Sequence, residues 1–164
     1  MIFVTVGTHE QAFDRLVKAA DEIAGKLNED MLIQTGYSTY EPKNARWTKL
    51  MAYQDMQQAL RSARIVITHG GPSSFMEAIR CGRVPVVVPR QKKYNEHVND
   101  HQKEFVQKIA DTVAILPVYE VDKLEYVLTH YDELAAQKQL SNQDKSEMFS
   151  HELDRIVANL FKRK

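Results

Sequence analysis

The chain has 164 residues, 43% of them hydrophobic, and its 22 basic residues balance its 22 acidic ones. That is enough to bury one good core, and the absence of net charge gives no reason to expect a nucleic-acid partner. The single cysteine, Cys81, excludes an internal disulfide and fits a reducing compartment, where it reads as a small core residue near a helix end.

Met1 runs directly into Ile2-Phe3-Val4-Thr5-Val6, a continuous apolar strand, so no signal peptide is expected. No apolar run nears the roughly 18 residues of a membrane span, and a soluble cytoplasmic chain is expected. Gly7-Thr8-His9 turns the chain out of this strand. A helix is predicted over residues 10–26, with Phe13, Leu16, Val17, Ala20, Ile23, Ala24 and Leu27 recurring at helical spacing. Residues 30–35 form a second strand, closed by Gly36. Residues 37–46 are polar and irregular, 47–51 read as a short strand, and Asp55 caps a helix carrying Met56, Ala59 and Leu60.

Ile65-Val66-Ile67-Thr68 is the next strand, broken by Gly70-Gly71, after which Ser73-Ser74 open a helix that ends at Gly82. Residues 84–88 form another strand, stopped by Pro89. A helix over 98–110 shows Val98, Phe105, Val106 and Ile109 on one face, 113–116 is a strand ended by Pro117, and Asp122 starts a helix with Leu124, Val127 and Leu128 inside. Residues 134–147 are the most polar segment and read as a loosening of the chain. A terminal helix over 145–161 carries a stripe of Phe149, Leu153, Ile156, Val157 and Leu160, followed by Lys162-Arg163-Lys164. It either docks on its own domain or packs on a partner or beside an anionic membrane.

Strands alternating with helices, and strands apolar throughout, imply a parallel sheet covered on both faces. The expectation is a single α/β domain over 1–164, a Rossmann-like doubly wound parallel sheet with ligands at the carboxyl ends of its strands. The strand–glycine turn–helix unit over 65–82 leaves unpaired N–H groups and a helix N-terminus facing one crevice, which suits an anion.

Several chemistries lack their signatures. Gly7-Thr8-His9 is not a GxGxxG fingerprint, and there is no P-loop, no Asp-x-Asp pair, no HExxH and no GxSxG elbow. No cofactor and no metal are signalled. Each remaining candidate has two readings. Ser74-x-x-Glu77 is a capping box, or Glu77 accepts the ribose hydroxyls of a nucleotide whose phosphates lie at the glycine turn. His69 is a satisfied buried histidine or a site residue. Asp100 and Gln102 cap the following helix or face a ligand, and Arg90, Lys92 and Lys93 are a solvated charge run or steer an anion.

Together, Ala63-Arg64-Ile65-Val66-Ile67-Thr68-His69-Gly70-Gly71, Ser74-x-x-Glu77-Ala78, Gly82-x-x-Pro85, Val88-Pro89 and Asp100-His101-Gln102 resemble the C-terminal, donor-binding domain of family 28 glycosyltransferases. The opening, Phe3-Val4-Thr5-Val6-Gly7-Thr8 through Phe13-Asp14-x-Leu16-Val17, is similar to the start of that family's stand-alone branch, which includes bacterial capsule and exopolysaccharide subunits. The resemblance implies half of a GT-B enzyme. It places Gly7 and Thr8 beside a diphosphate, Gly70, Gly71 and Ser74 near the phosphates, Glu77 on the ribose, and Asp100 and Gln102 on the donor sugar; His69 and Ser73, on the same turn, are further candidate nucleotide-sugar contacts. Pro72-Ser73 depart from the family's glycine- or alanine-rich loop. His9 inherits no role and is a candidate catalytic residue near the leaving diphosphate.

A GT-B enzyme needs two such halves, and this length supplies one. The resemblance therefore implies a subunit that binds a UDP-sugar and pairs with a membrane-anchored acceptor-binding subunit at the inner face of the membrane. The reaction would be inverting transfer to a lipid-diphosphate-linked saccharide. The alternative is a non-catalytic enhancer of a glycosyltransferase partner.

Overall fold

The computed structural model describes residues 1–143 together with 154, 155 and 158. The terminal helix expected over 145–161 lies outside the described residues. Six strands form one all-parallel sheet in the order β3-β2-β1-β4-β5-β6. They are β1 (Ile2–Thr5), β2 (Met31–Gln34), β3 (Arg46–Thr48), β4 (Ile65–His69), β5 (Val86–Val88) and β6 (Leu116–Pro117), joined by α1 (Asp14–Ala24), α2 (Tyr53–Ser62), α3 (Pro72–Arg80), α4 (His101–Ile109), α5 (Leu124–Thr129) and α6 (Tyr131–Gln143). This is the doubly wound order, which changes direction between β1 and β4 and opens a crevice at their carboxyl ends.

Both faces of the central strands β1, β4 and β5 are buried, so these strands are apolar except at their carboxyl ends, where Thr5, Thr68 and His69 stand. Ile2, Val4, Ile65, Ile67, Val86 and Val88 join α1, α5 and α6 in one core cluster. The intervening Phe3 and Val66 pack on α2 and α3, and Val87 packs with Phe75, Val106 and Ile109. Burying each large side chain fully is worth about 1.5–3 kcal/mol.

Several element boundaries differ from those expected. Helix α1 starts at Asp14 rather than residue 10, because Asp14 turns its carboxylate to the Thr39 and Tyr40 amides while Gln11 O accepts a hydrogen bond from Arg90. Asp55 lies in the first turn of α2 and does not cap it, since Ala52 holds that position. The short strand is shifted to Arg46–Thr48. Pro117 lies inside β6 rather than ending a strand at 116: on this edge Leu116 donates to Pro85 O and Val118 to Val87 O, and Pro117 needs no N–H. Helix α4 begins at His101, leaving Val98 69% exposed instead of on a buried face. The segment from 134, expected to loosen, continues as α6 through Gln143. Its residues are strong helix formers, and Tyr131 and Ala135 anchor it, the Tyr131 hydroxyl donating to Val84 O at 2.7 Å.

Candidate functional site

The crevice is built on three carboxyl ends. Gly7 follows β1 with φ of +80°, a conformation that favours glycine. Its position is fixed from below by buried Gln34, whose amide donates to Gly7 O at 3.2 Å and Lys49 O at 2.9 Å while its oxygen accepts from Thr5 Oγ1 at 2.6 Å. His69 ends β4, and its ring lies between the two glycine turns: a Cβ on Gly7 would stand 2.6 Å from His69 Nε2, and one on Gly71 would collide with Cε1. Both glycines are needed for this close approach.

The hydrogen bonds define the ring's tautomer. Gly71 N–H donates to His69 Nδ1 at 3.0 Å, so Nδ1 keeps its lone pair and Nε2–H donates to Ser74 Oγ at 3.0 Å. Gln102 agrees with this. Its oxygen accepts from Gly70 N and Arg90 N, each at 3.1 Å, which leaves its amide nitrogen 3.4 Å from His69 Nδ1 as a second donor. Burial, helped by the charge of Arg90, lowers the His69 pKa to about 3. His69 is a neutral donor at physiological pH, and its bond turns Ser74 so that the hydroxyl proton can point to a ligand.

Helix α3 opens with Pro72 at its first position and Gly71 at its N-cap, without a side-chain cap. The expected capping box does not form, because Ser74 faces His69 and Glu77 faces α2. Glu77 accepts from Gln57 Nε2 at 3.2 Å on one oxygen and from Arg80 at 2.9 Å on the other, and remains part-exposed. A carboxylate has further lone pairs for two hydroxyl donors. Beside it lies a cavity of about 260 Å³, lined by Thr5, Tyr53, Met56, Gln57, Ser73 and Glu77 among others. A larger groove of about 640 Å³ lies at the opposite, amino end of the sheet, where Arg64 is paired with Glu29 and Asp132.

Asp100 and Gln102 reach the same edge but face the protein. Asp100 Oδ1 accepts from Lys92 N at 2.9 Å, and Gln102 ties the β4 and β5 loops together. Thr8 and Ser73 are exposed. His9 stacks on His97 with ring centroids 4.5 Å apart and 11° between planes. Arg90 is not part of a solvated charge run. It is fully buried, donating to Val6 O, Gln11 O and Glu96 O with its guanidinium over the Phe13 ring, while Lys92 and Lys93 are exposed. Arg15 and Glu96, which carried no sequence signal, complete the support: Arg15 forks onto both Glu96 oxygens at 2.8 and 2.9 Å and bonds Tyr119 O and Pro89 O.

A six-stranded parallel sheet with a crevice at its switch point defines the doubly wound class of α/β domain, in which ligands are expected at that crevice. The family model of the glycosyltransferase family 28 C-terminal domain matches residues 1–160, and the chain belongs to this family. It is 33% identical over 114 residues to the UDP-N-acetylglucosamine transferase subunit ALG13 of Mus musculus, covering 63% of this chain and 10% of that protein. It is 35% identical over 86 residues to a zeaxanthin glucosyltransferase of Pantoea ananas, covering 48% of this chain and 19% of that protein. Among solved structures, it superposes on the spinosyn forosaminyltransferase SpnP (TM-score 0.62, 18% identity, 96% of this chain and 43% of that one). It also superposes on the Acinetobacter baumannii MurG (TM-score 0.57, 17% identity, 94% and 49%). The chain thus spans a tenth to a fifth of the curated relatives and under half of these structures, and its fold is a Rossmann-like half of a GT-B glycosyltransferase. Among the described residues no helix is long and apolar enough to cross a membrane.

Proposed function

We propose that this chain is the donor-binding, catalytic subunit of a two-component inverting glycosyltransferase that transfers a sugar from a UDP-sugar to a lipid-diphosphate-linked saccharide. The observation that carries it is the alignment of the 260 Å³ cavity, the part-exposed Glu77 and the glycine-walled His69–Ser74 pair along one edge of the sheet. In this reading the uracil enters beside Tyr53, a residue 74% exposed that lines the cavity. The ribose hydroxyls reach Glu77, and the diphosphate meets Ser73, Ser74, the Gly70-Gly71 turn and Gly7-Thr8. Backbone N–H groups and the α3 dipole stabilise the charge of the departing diphosphate, with His9 at its far end. The acceptor and its aligning groups belong to a second, membrane-anchored subunit, because one half leaves the reacting carbon open to water. That subunit holds this chain at the membrane.

One observation favours a second reading, in which the chain is a non-catalytic enhancer of a glycosyltransferase partner. Asp100 and Gln102, the residues assigned to the donor sugar by family resemblance, already spend their acceptor oxygens on backbone N–H groups. Calorimetric titration with UDP tests the pocket. Wild type should bind, and Glu77→Ala, shown by circular dichroism to be folded, should weaken binding by about 1–3 kcal/mol, the worth of hydrogen bonds to a charged group. Equal binding by both would reject the Glu77 assignment. In the reconstituted complex, Glu77→Gln should depress sugar transfer, whereas full activity would favour the enhancer. Gln102→Ala is a poor probe, since it orphans two backbone donors.

A further inference from the structure

Four of the six histidines meet at the β5 side of the crevice: His69 from β4, His9 from the turn after β1, His97 from the loop before α4, and His101 from the first turn of α4. Beneath them lies the buried Arg90 guanidinium, whose three carbonyl partners carry no formal charge. The carboxylates of this corner are shared with other partners. Glu96 is taken by Arg15 and the Gln91 amide, and Asp100 accepts from the Lys92 amide. Glu10, next along the chain from His9, is exposed. Glu96 supplies Arg90 with opposite charge but shares it with Arg15, so two guanidinium groups meet one carboxylate and the corner keeps a positive charge that favours an anion.

Two buried atoms show where the surroundings are incomplete. Among the described residues, His97 Nδ1 and Arg90 Nε have no hydrogen-bond partner. Gln11 sets the His9 tautomer: the Gln11 amide nitrogen donates to Asn95 O at 3.3 Å, so the Gln11 oxygen at 2.9 Å accepts from His9 Nε2–H, and His9 Nδ1 keeps a lone pair. Two parallel rings at 4.5 Å cannot both hold a charge cheaply, but they can share one.

We propose that His97, braced by the His9 ring stacked on it, is a proton-loading group for a phosphate-borne dianion: it takes up one proton from solvent as the nucleotide's distal phosphate arrives in the crevice. The proposal rests on the reading of this crevice as a nucleotide-diphosphate site. The incoming negative charge offsets the repulsion of Arg90 and His101, which opposes protonation of His97, and the proton on His97 holds the phosphate charge beside it. Consistently, burial first, and then the charges of His9, Arg90 and His101, hold the His97 pKa below the usual histidine value. His97 would hold this proton with the diphosphate until product leaves, so nucleotide affinity would be coupled to pH by residues that the nucleotide's ribose and base never meet.

The test is UDP titration of the whole chain by calorimetry at pH 7.5 in buffers of differing ionisation enthalpy, with wild type, His97→Phe and His9→Gln. His97→Phe keeps the stack and deletes the titrating atoms. Wild type should take up more protons per UDP bound than either variant, by about half a proton or more, and its Kd should fall by up to about tenfold per pH unit between pH 8 and 6.5. Both variants should flatten that slope. UDP's own ionisation contributes equally to all three, so the differences isolate the pair. Circular dichroism verifies folding, and either folded variant decides the question. Binding with equal proton counts and slopes overturns the pair and leaves the nucleotide reading standing; failure of wild type to bind UDP at any pH overturns both.

Discussion

Two loops frame the sheet, and each is fastened by a buried charge of opposite sign. The β2–β3 connection wraps around Asp21, a fully buried carboxylate on α1 that accepts from Tyr40 Oη and from the amides of Lys43, Asn44 and Ala45, all at 2.8–2.9 Å. Burial pushes its pKa up, and these hydrogen bonds outweigh burial and hold it below the ordinary value. The loop after β5 wraps around Arg90, which donates to three carbonyls but leaves Nε without a partner among the described residues. Burial lowers its pKa to about 10, so it stays charged. A carboxylate ringed by four donors is complete and serves architecture. A guanidinium under the crevice, with Nε unpartnered among the described residues, is the less completely satisfied of the two charges.

The comparison can be broken by mutation. Arg90→Met should have the largest effect, because it orphans three buried carbonyls and removes the cation; a loss of about 3 kcal/mol or more is expected, read as a Tm drop of about 6–12 °C. It should also weaken UDP binding. Asp21→Asn removes a charged acceptor and should cost about 2–3 kcal/mol, with UDP affinity in the folded variant unchanged. If Asp21→Asn damaged binding as much as Arg90→Met, the division into an architectural loop and a site-facing loop would fail.

A second, smaller effect separates the same two regions by pH. His69 has an ordinary value of 6.5 and a folded value of about 3. The unfolded chain therefore binds a proton that the folded chain refuses, and stability falls as pH drops from about 6.5 toward 3, by up to about 1.4 kcal/mol per unit. His97, shifted the same way, adds to the slope. Asp21 also has a depressed pKa, so its contribution disappears only as pH falls below the ordinary carboxylate range, near 4. Melting curves between pH 7 and 5 should thus be steeper for wild type than for His69→Gln and unaltered in slope by Asp21→Asn. Equal slopes for wild type and His69→Gln would show that His69 is not held neutral.

The sequence disclosed the parts of this molecule governed by local chemistry. Apolar runs such as Ile2-Phe3-Val4 and Ile65-Val66-Ile67 read directly as strands buried on both faces, and Gly70-Gly71 marked the turn from β4 into α3. Readings failed where a distant partner decides. Arg90 sits beside Lys92 and Lys93 in sequence, and only the approach of Val6 O and Gln11 O, 84 and 79 residues away, turns it inward. Ser74-x-x-Glu77 has the spacing of a capping box, yet His69 and Gln57 claim its two side chains. The polar α6 shows no apolar stripe because its contact with the core is concentrated at Tyr131 and Ala135. The His9–His97 stack joins loops on two strands and has no spacing signature.

The smallest expected effect concerns Arg80, the exposed partner of Glu77 at 2.9 Å. An (i, i+3) ion pair between part-exposed side chains contributes at most about 0.5 kcal/mol after screening by solvent. Arg80→Ala should therefore leave Tm within about 2 °C of wild type. Its value as a probe lies in what it releases. Losing Arg80 removes the donor on Glu77 Oε1, whereas Gln57 continues to hold Oε2. If a ribose competes with Arg80 for that oxygen, UDP affinity should rise slightly in the variant, and the rise should diminish at high salt, where the wild-type ion pair is already screened. A clear fall in affinity would mean that Arg80 itself contacts the nucleotide, and the α3 face would join the site.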